Sequence, residues 1–175
     1  MKTLMDKISI NRSLARMTHE ILEKNKGTDN LVLIGIQTRG EFLAKRIQQN
    51  IERFEGVIVP CYAFNISYWR DDIENNEVEP PAEEYDFKGK IVIVIDDVLF
   101  KGRTVRAAMD GIIHYGRPEE IQLGVLVDRG HRELPIRADY VGKNIPTSLD
   151  ETVKVRVEEV DEEEDVIILG GGENV

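Results

Sequence analysis

The sequence predicts a single α/β domain over residues 1–175, with a mainly parallel central sheet flanked by helices. Three observations predict it. Leu31–Ile36, Val92–Ile95 and Ile121–Val127 are short apolar runs rich in β-branched residues, which suits strands covered on both faces. The first two run into loops containing Gly40 and Gly102 and then into helical patterns. All three end in charged or hydroxyl-bearing residues, and in open α/β sheets ligands bind beyond the carboxyl ends of strands.

Composition sets the outer bounds. A chain of 175 residues, 41% hydrophobic and 32% charged, can bury a substantial core. No apolar run approaches the ~20 residues needed to span a membrane. Met1 to Ile10 mixes Lys2, Asp6 and Lys7 with apolar residues, and has no signal-peptide core. A lone Cys61 permits no internal disulfide, so a cytoplasmic location is the default, and its strand-like surroundings read as core rather than nucleophile. A net charge of −10 argues against general affinity for nucleic acid. The acids are concentrated at 74–86 and 158–165, which leaves room for a local basic surface.

In chain order, Ile10–Lys26 reads as a helix. Ile10, Leu14, Met17 and Ile21 form its apolar stripe, Asn11 or Ser9 caps its start and Gly27 closes its end. Arg12, Arg16, His19 and Lys26 fall on the opposite face, which reads as solvated surface or as a nucleic-acid contact. Leu31–Ile36 leads through Thr38-Arg39-Gly40 to a helix that turns Leu43, Ile47, Ile51 and Phe54 inward. Val57–Tyr68 reads as a long strand, broken or placed at an edge by Pro60. From about 70 to 89 the chain is polar and acidic, the composition of a flexible lid hairpin or of a solvated linker. Val105–Tyr115 is a helix stopped by Gly116 and Pro118, and Asp139–Ser148 and Thr152–Val157 read as short strands. The acidic segment 158–175 ends in a frayed Gly170–Val175.

The chemistry concentrates in Val92-Ile93-Val94-Ile95-Asp96-Asp97-Val98-Leu99-Phe100-Lys101-Gly102-Arg103-Thr104. Two carboxylates at the expected strand end suit sugar hydroxyls or a divalent metal. The loop after them offers N–H groups, a hydroxyl and a glycine at a helix N-terminus, which suits a phosphate monoester. Together they describe a ribose 5-phosphate. Thr38-Arg39-Gly40 makes a second anion-type turn with a fixed positive charge. The plain alternative is an Asp-Asp surface turn. His131 reads as structural sooner than catalytic.

This stretch resembles the phosphoribosyl-diphosphate signature of the type I phosphoribosyltransferases. Residues 125–148, which contain Val127-Asp128-Arg129-Gly130-His131-Arg132-Glu133-Leu134-Pro135, are similar to the family of bifunctional pyrimidine operon regulators that are also uracil phosphoribosyltransferases. The match spans roughly Ile10 to Val160. The resemblance implies a type I phosphoribosyltransferase fold with a lid hairpin and a small hood. It implies that uracil and phosphoribosyl diphosphate become UMP and diphosphate with Mg2+. Asp96 and Asp97 would meet ribose hydroxyls, or the metal through water. Val98, Leu99, Phe100, Lys101, Gly102, Arg103 and Thr104 would form the phosphate loop; Thr38, Arg39 and Gly40 would grip diphosphate. Arg70 would meet the leaving-group charge. Arg129 and the backbone near Val153 would lie on the uracil side. An acid of the Asp pair is a possible general base.

The same resemblance implies a UMP-responsive contact with pyrimidine operon leader RNA, for which Arg16, His19, Arg129, Arg132, Arg137 and Lys143 could form a basic patch, and a homo-oligomer. Two positions depart from the family pattern. Ala15 stands where a polar residue is expected. Lys101 replaces a small hydroxyl residue in the phosphate loop, either adding charge to the site or pointing outward. Two other readings stay open, an RNA-binding regulator with little catalysis and a transferase for another base such as a purine.

Overall fold

A computed structural model describes residues 1–71 and 81–171. Its elements are β1 (Lys2–Asp6), α1 (Lys7–Lys24), β2 (Leu31–Ile36), α2 (Arg39–Glu55), β3 (Cys61–Phe64), a 3-10 turn (Ser67–Trp69), β4 (Ile91–Leu99), α3 (Arg103–His114), β5 (Glu120–Asp128), β6 (Tyr140–Asn144), β7 (Thr152–Arg156), α4 (Glu158–Asp161) and β8 (Asp165–Leu169). Five strands form one sheet in the order β3-β2-β4-β5-β6, with every pair parallel. A second, antiparallel sheet has the order β1-β8-β7 and forms the hood.

Alternation along the strands divides the core in two. Leu31 and Leu33 of β2, and Ile93 and Ile95 of β4, pack under α1 and α2, against Ile10, Met17, Leu43 and Ile47. Val32, Ile34, Val92 and Val94 face the other way, toward Val105, Ala108 and Ile112 of α3. Both faces of β2 and β4 are therefore covered, which is why their sequences show no polar alternation. The first core also takes in Met5, Val153, Val155 and Val166, so the two sheets share it.

Several boundaries differ from the sequence reading, each for a local reason. The first helix begins at Lys7, not Ile10, because Asp6 caps it: the Ser9 N–H donates to Asp6 Oδ1 at 2.8 Å. Ser9 and Asn11 are inside the helix. Residues 2–6, unassigned in the sequence reading, pair with β8. The long strand expected over Val57–Tyr68 shrinks to Cys61–Phe64. Pairing starts at the Pro60 carbonyl, which accepts the Leu33 N–H at 2.9 Å. Cys61 is partly buried, and burial pushes its thiol up to about 11, which leaves it a poor nucleophile.

The polar segment at 70–89 divides. Residues 72–80 of the expected lid lie outside the described residues. Its later part belongs to the core: Phe87 is 1% exposed, and Tyr85 stacks on it with ring centroids 5.5 Å apart. Two well-placed aromatic residues outweigh the polar average. The acidic terminus also holds structure. Glu158–Asp161 is a helical turn, and Asp165–Leu169 a strand whose Val166-Ile167 pair is buried. Of the terminus expected to fray, residues 172–175 lie outside the described residues.

Candidate functional site

Two strand-to-helix crossings bring the site together. The first joins β2 to α2 through Gln37 and Thr38. It requires glycine: a Cβ on Gly40 would meet the Ile95 carbonyl oxygen at 2.6 Å and Asp96 Cα at 3.3 Å. The start of α2 therefore sits directly on β4, one residue from the acid pair. The second joins β4 to α3 through Phe100-Lys101-Gly102. Gly102 has φ +95° and stands at the N-cap of α3, so the N–H groups of the helix's first turn point into the loop.

The acid pair differs from expectation in one respect. Strand β4 continues through Asp96 and Asp97 to Leu99 rather than ending at the acids, and both acids line one cleft. Asp96 is 7% exposed and accepts the Asp97 N–H at 2.9 Å; Asp97 accepts the Val98 N–H at 2.7 Å. Burial, reinforced by the neighbouring Asp97 charge, raises the Asp96 carboxyl well above the usual carboxylate range.

Two clefts meet at this pair. One, of about 260 Å³, is lined by Arg70, Asp96 and residues 98–105. The other, of about 360 Å³, is lined by residues 36–39, Asn65, Ile66, Ser67, Arg70, Asp96, Asp97, Val98 and Thr104. Arg70, Asp96, Val98 and Thr104 line both. Sequence reasoning missed Asn65 and Ser67, which sit where an expected strand gives way to a 3-10 turn. The Asn65 side chain accepts the Ser67 N–H at 3.0 Å, a local bond favoured by this residue type and legible in an Asn-x-Ser spacing.

The charged residues around the clefts behave differently from one another. Arg39 pairs with Asp161 of α4, Nε to Oδ2 at 3.0 Å and Nη2 to Oδ1 at 2.7 Å. Lys101, in the lining of the first cleft, lies 3.8 Å from Glu133. Arg103 also goes to Glu133, at 2.8 Å, and with Arg106 it binds Asp71. The phosphate-type loop is thus left with backbone N–H groups and Thr104, its cationic side chains being engaged by acids at its rim. The Leu99 side chain is buried, and the Phe100 ring lies 3.9 Å from the Arg129 guanidinium.

Residues expected on the uracil side lie further back. Arg129 is 6% exposed and donates to Thr147 Oγ1 and the Ser148 carbonyl, both at 3.1 Å, so it braces the loop behind Phe100. Val153 is in β7, opposite Ile168, and lines neither cleft. The His131 ring contacts the Thr147 carbonyl at 2.5 Å and serves the same loop.

The residues expected to meet RNA do not form one patch. Arg16 donates to the carbonyls of Val141 and Gly142, and Lys143 to that of Leu4, along one edge of β6. His19 stacks on Phe54 with centroids 4.3 Å apart. Arg132 binds the Phe100 and Ile136 carbonyls at 2.9 Å and Asp128 at 2.5 Å, which makes it an internal brace rather than a free surface cation. Arg137 is exposed in the loop between β5 and β6.

Residues 3–163 match the phosphoribosyl transferase domain family. A protein from Staphylococcus saprophyticus named bifunctional protein PyrR is 54% identical over 171 residues, 95% of this chain and 98% of its own. One of the same name from Caldicellulosiruptor bescii is 54% identical over 171 residues, 95% of this chain and 94% of its own. Among solved structures, a hypoxanthine phosphoribosyltransferase of Trypanosoma cruzi superposes with TM-score 0.76 at 20% identity, covering 97% of this chain and 91% of that one. One from Staphylococcus aureus superposes with TM-score 0.71 at 19% identity, covering 95% and 90%. At that identity the likeness to both concerns the fold.

Proposed function

The chain belongs to the phosphoribosyl transferase domain family and, within it, to the bifunctional PyrR proteins, and from that premise we propose that it converts uracil and phosphoribosyl diphosphate to UMP and diphosphate. The observation that carries this reading is the meeting of the two clefts at Asp96. A loop suited to a phosphate monoester and a turn suited to diphosphate stand on either side of acids suited to ribose hydroxyls.

In this reaction uracil N1 bonds to ribose C1, the C1–oxygen bond to diphosphate breaks, and the N1 proton is lost. Positive charge grows on the sugar and negative charge on the leaving group. The chain's part is positioning and electrostatics. The α3 N-terminus with Thr104 fixes the 5-phosphate. Asp96 and Asp97, which line the same cleft, hold the ribose. Thr38 and Arg39 take the diphosphate, and Arg70, which lines both clefts, meets the charge developing between them. Asp96, with its raised pKa, is the acid of the pair fit to hold a proton.

Magnesium suits the acid pair, which presents hard oxygen ligands beside a diphosphate site. Among the described residues no group of three His, Cys, Asp or Glu could hold a metal ion without help. Asp96 and Asp97 would share it with substrate oxygens, where it would neutralise diphosphate charge.

The second activity is UMP-responsive binding of pyrimidine operon leader RNA. The net charge of −10 is unevenly distributed along the chain. The acids of 158–165 pair internally, Glu158 with Lys7, Glu159 with Arg46, Asp161 with Arg39 and Asp165 with Arg156. At the β6 edge, Arg16 also pairs with Glu20 at 2.7 Å. Lys101, the feature that favours a regulator without catalysis, lines the first cleft with its ammonium near Glu133. Among the described residues no helix is long and apolar enough to cross a membrane. A cytoplasmic homo-oligomer fits the family.

The test is diphosphate release by the purified chain with phosphoribosyl diphosphate, magnesium and uracil, beside hypoxanthine and guanine. Turnover with uracil alone is expected. Turnover with a purine would move the assignment to another base. Binding of phosphoribosyl diphosphate without turnover on any base would leave a nucleotide-sensing RNA regulator.

A further inference from the structure

One turn of the hood sends three acids to three separate cations. Glu158 meets Lys7 at 2.5 Å, and Glu159 meets Arg46 through bonds of 3.1 and 2.7 Å. These two fasten the hood to α1 and α2. Asp161 goes instead to Arg39, in the turn that the transferase reading gives to diphosphate. We propose that Asp161 is a positioning residue for diphosphate recognition, holding Arg39 in its working orientation and tying the grip on the leaving group to the hood. This rests on the transferase reading and deepens it.

Three features support the link. The contact is bidentate, and a planar fork held at two atoms has its plane fixed. It uses Nε and Nη2, so the Nη1 edge is the one that can meet an oxyanion. Next, the Asp161 carboxylate is itself held. Its Oδ2 accepts the N–H of Val157 at 2.8 Å, and Val157 is fully buried in the core shared by both sheets. Arg39 is thus anchored through Asp161 to the rigid part of the hood. Finally, Asp97 lines the same cleft as Arg39, and its charge also acts on the guanidinium. Without Asp161, Arg39 has Asp97 to turn to, and pairing there would cover the acid that ribose needs. Asp161 lines neither cleft, so it acts through Arg39 rather than on substrate.

Full-length chains carrying Asp161→Asn, Glu159→Gln, Arg39→Ala and Asp161→Asn with Arg39→Ala separate this role from simple docking. Calorimetric binding of phosphoribosyl diphosphate, KM for both substrates and melting temperature are read for each. Asp161→Asn is expected to raise KM for phosphoribosyl diphosphate about tenfold, and less than twofold more when Arg39 is already alanine. Glu159→Gln, which loosens the hood without touching Arg39, is expected to lose as much melting temperature while leaving that KM within twofold. Equal KM effects from Asp161→Asn and Glu159→Gln would overturn the proposal, as would an undiminished Asp161→Asn effect in the Arg39→Ala background. Failure of the unaltered chain to bind phosphoribosyl diphosphate would instead remove the transferase reading, and this one with it.

Discussion

The two crossings that build the site recognise negative charge by different means. At β2–α2 a side chain does it: Arg39 stands at the cleft, its plane fixed by Asp161. At β4–α3 the backbone does it. Lys101 and Arg103 are drawn to Glu133, and Arg103 and Arg106 to Asp71, so the helix N-terminus and Thr104 remain. The difference follows the chemistry proposed for each. A 5-phosphate stays attached and keeps its charge through the reaction, so fixed dipoles suffice. Diphosphate leaves and gains charge in the transition state, where a positioned cation has most to add.

The largest expected effect breaks the geometry of the first crossing. Gly40→Ala places a Cβ against the Ile95 carbonyl, with backbone on both sides and no flexible side chain to yield. Overpacking of this kind costs about 1–3 kcal/mol. The displaced turn carries Arg39 with it, and a misplacement of about 1 Å can cost about 10²-fold in rate. Melting temperature and kcat/KM should fall together. Loss of rate with no loss of melting temperature would mean the close approach serves chemistry alone.

Arg39→Ala comes next and sharpens the contrast. Its fold should survive, because α2 is held by Leu43, Ile47 and Ile51. kcat/KM for phosphoribosyl diphosphate should drop roughly 10²-fold, the size of losing one group that stabilises developing charge. An equal drop from Lys101→Ser would erase the distinction between the crossings.

The first crossing was also the more legible in sequence. Strand β2 and the stripe Leu43, Ile47, Ile51 are local patterns, and both ends of β2 fell where its apolar run ends. The pairing of Arg39 with Asp161 spans 122 residues and leaves no local trace. The same holds for the hood. Residues 2–6 and 165–169 each look too short or too acidic to matter until they pair. At the second crossing the loop was legible, but the orientation of Lys101 was not, since either direction suits a lysine and Glu133 decides it. The extent of β4 was misjudged because two carboxylates are rare in a strand, and here one is buried at a cost that function explains.

That cost gives a smaller, pH-dependent prediction. Asp96 has a folded-state pKa raised above its ordinary value by burial and by Asp97. As pH rises above about 4, the unfolded chain loses this proton first while the folded chain keeps it. The folded state then binds more protons, so the Asp96 contribution favours folding at low pH and is lost as pH rises toward the raised value. Asp96→Asn, neutral throughout, should melt higher than the unaltered ligand-free chain at pH 7–8, and the gap should close toward pH 4. A gap independent of pH would mean that packing, not the charge, sets the difference.

The smallest expected effect is at Lys101, in the loop between β4 and α3. Its ammonium is half exposed, 3.8 Å from an exposed Glu133, and surface pairs of this kind contribute about 0–1 kcal/mol. Glu133 keeps a closer partner in Arg103, at 2.8 Å, so the loop's rim stays neutralised without the lysine. Lys101→Ser should therefore leave melting temperature nearly unchanged and alter KM for phosphoribosyl diphosphate by less than about twofold, a difference of under about 0.4 kcal/mol. The reverse variant is more informative. Glu133→Gln releases Lys101 and leaves Arg103 held by Asp71 alone, and KM should fall if Glu133 had been withholding their charge. A lower KM would show that the second crossing can recruit side-chain charge when its rim allows. An unchanged KM would show that backbone groups already saturate the 5-phosphate.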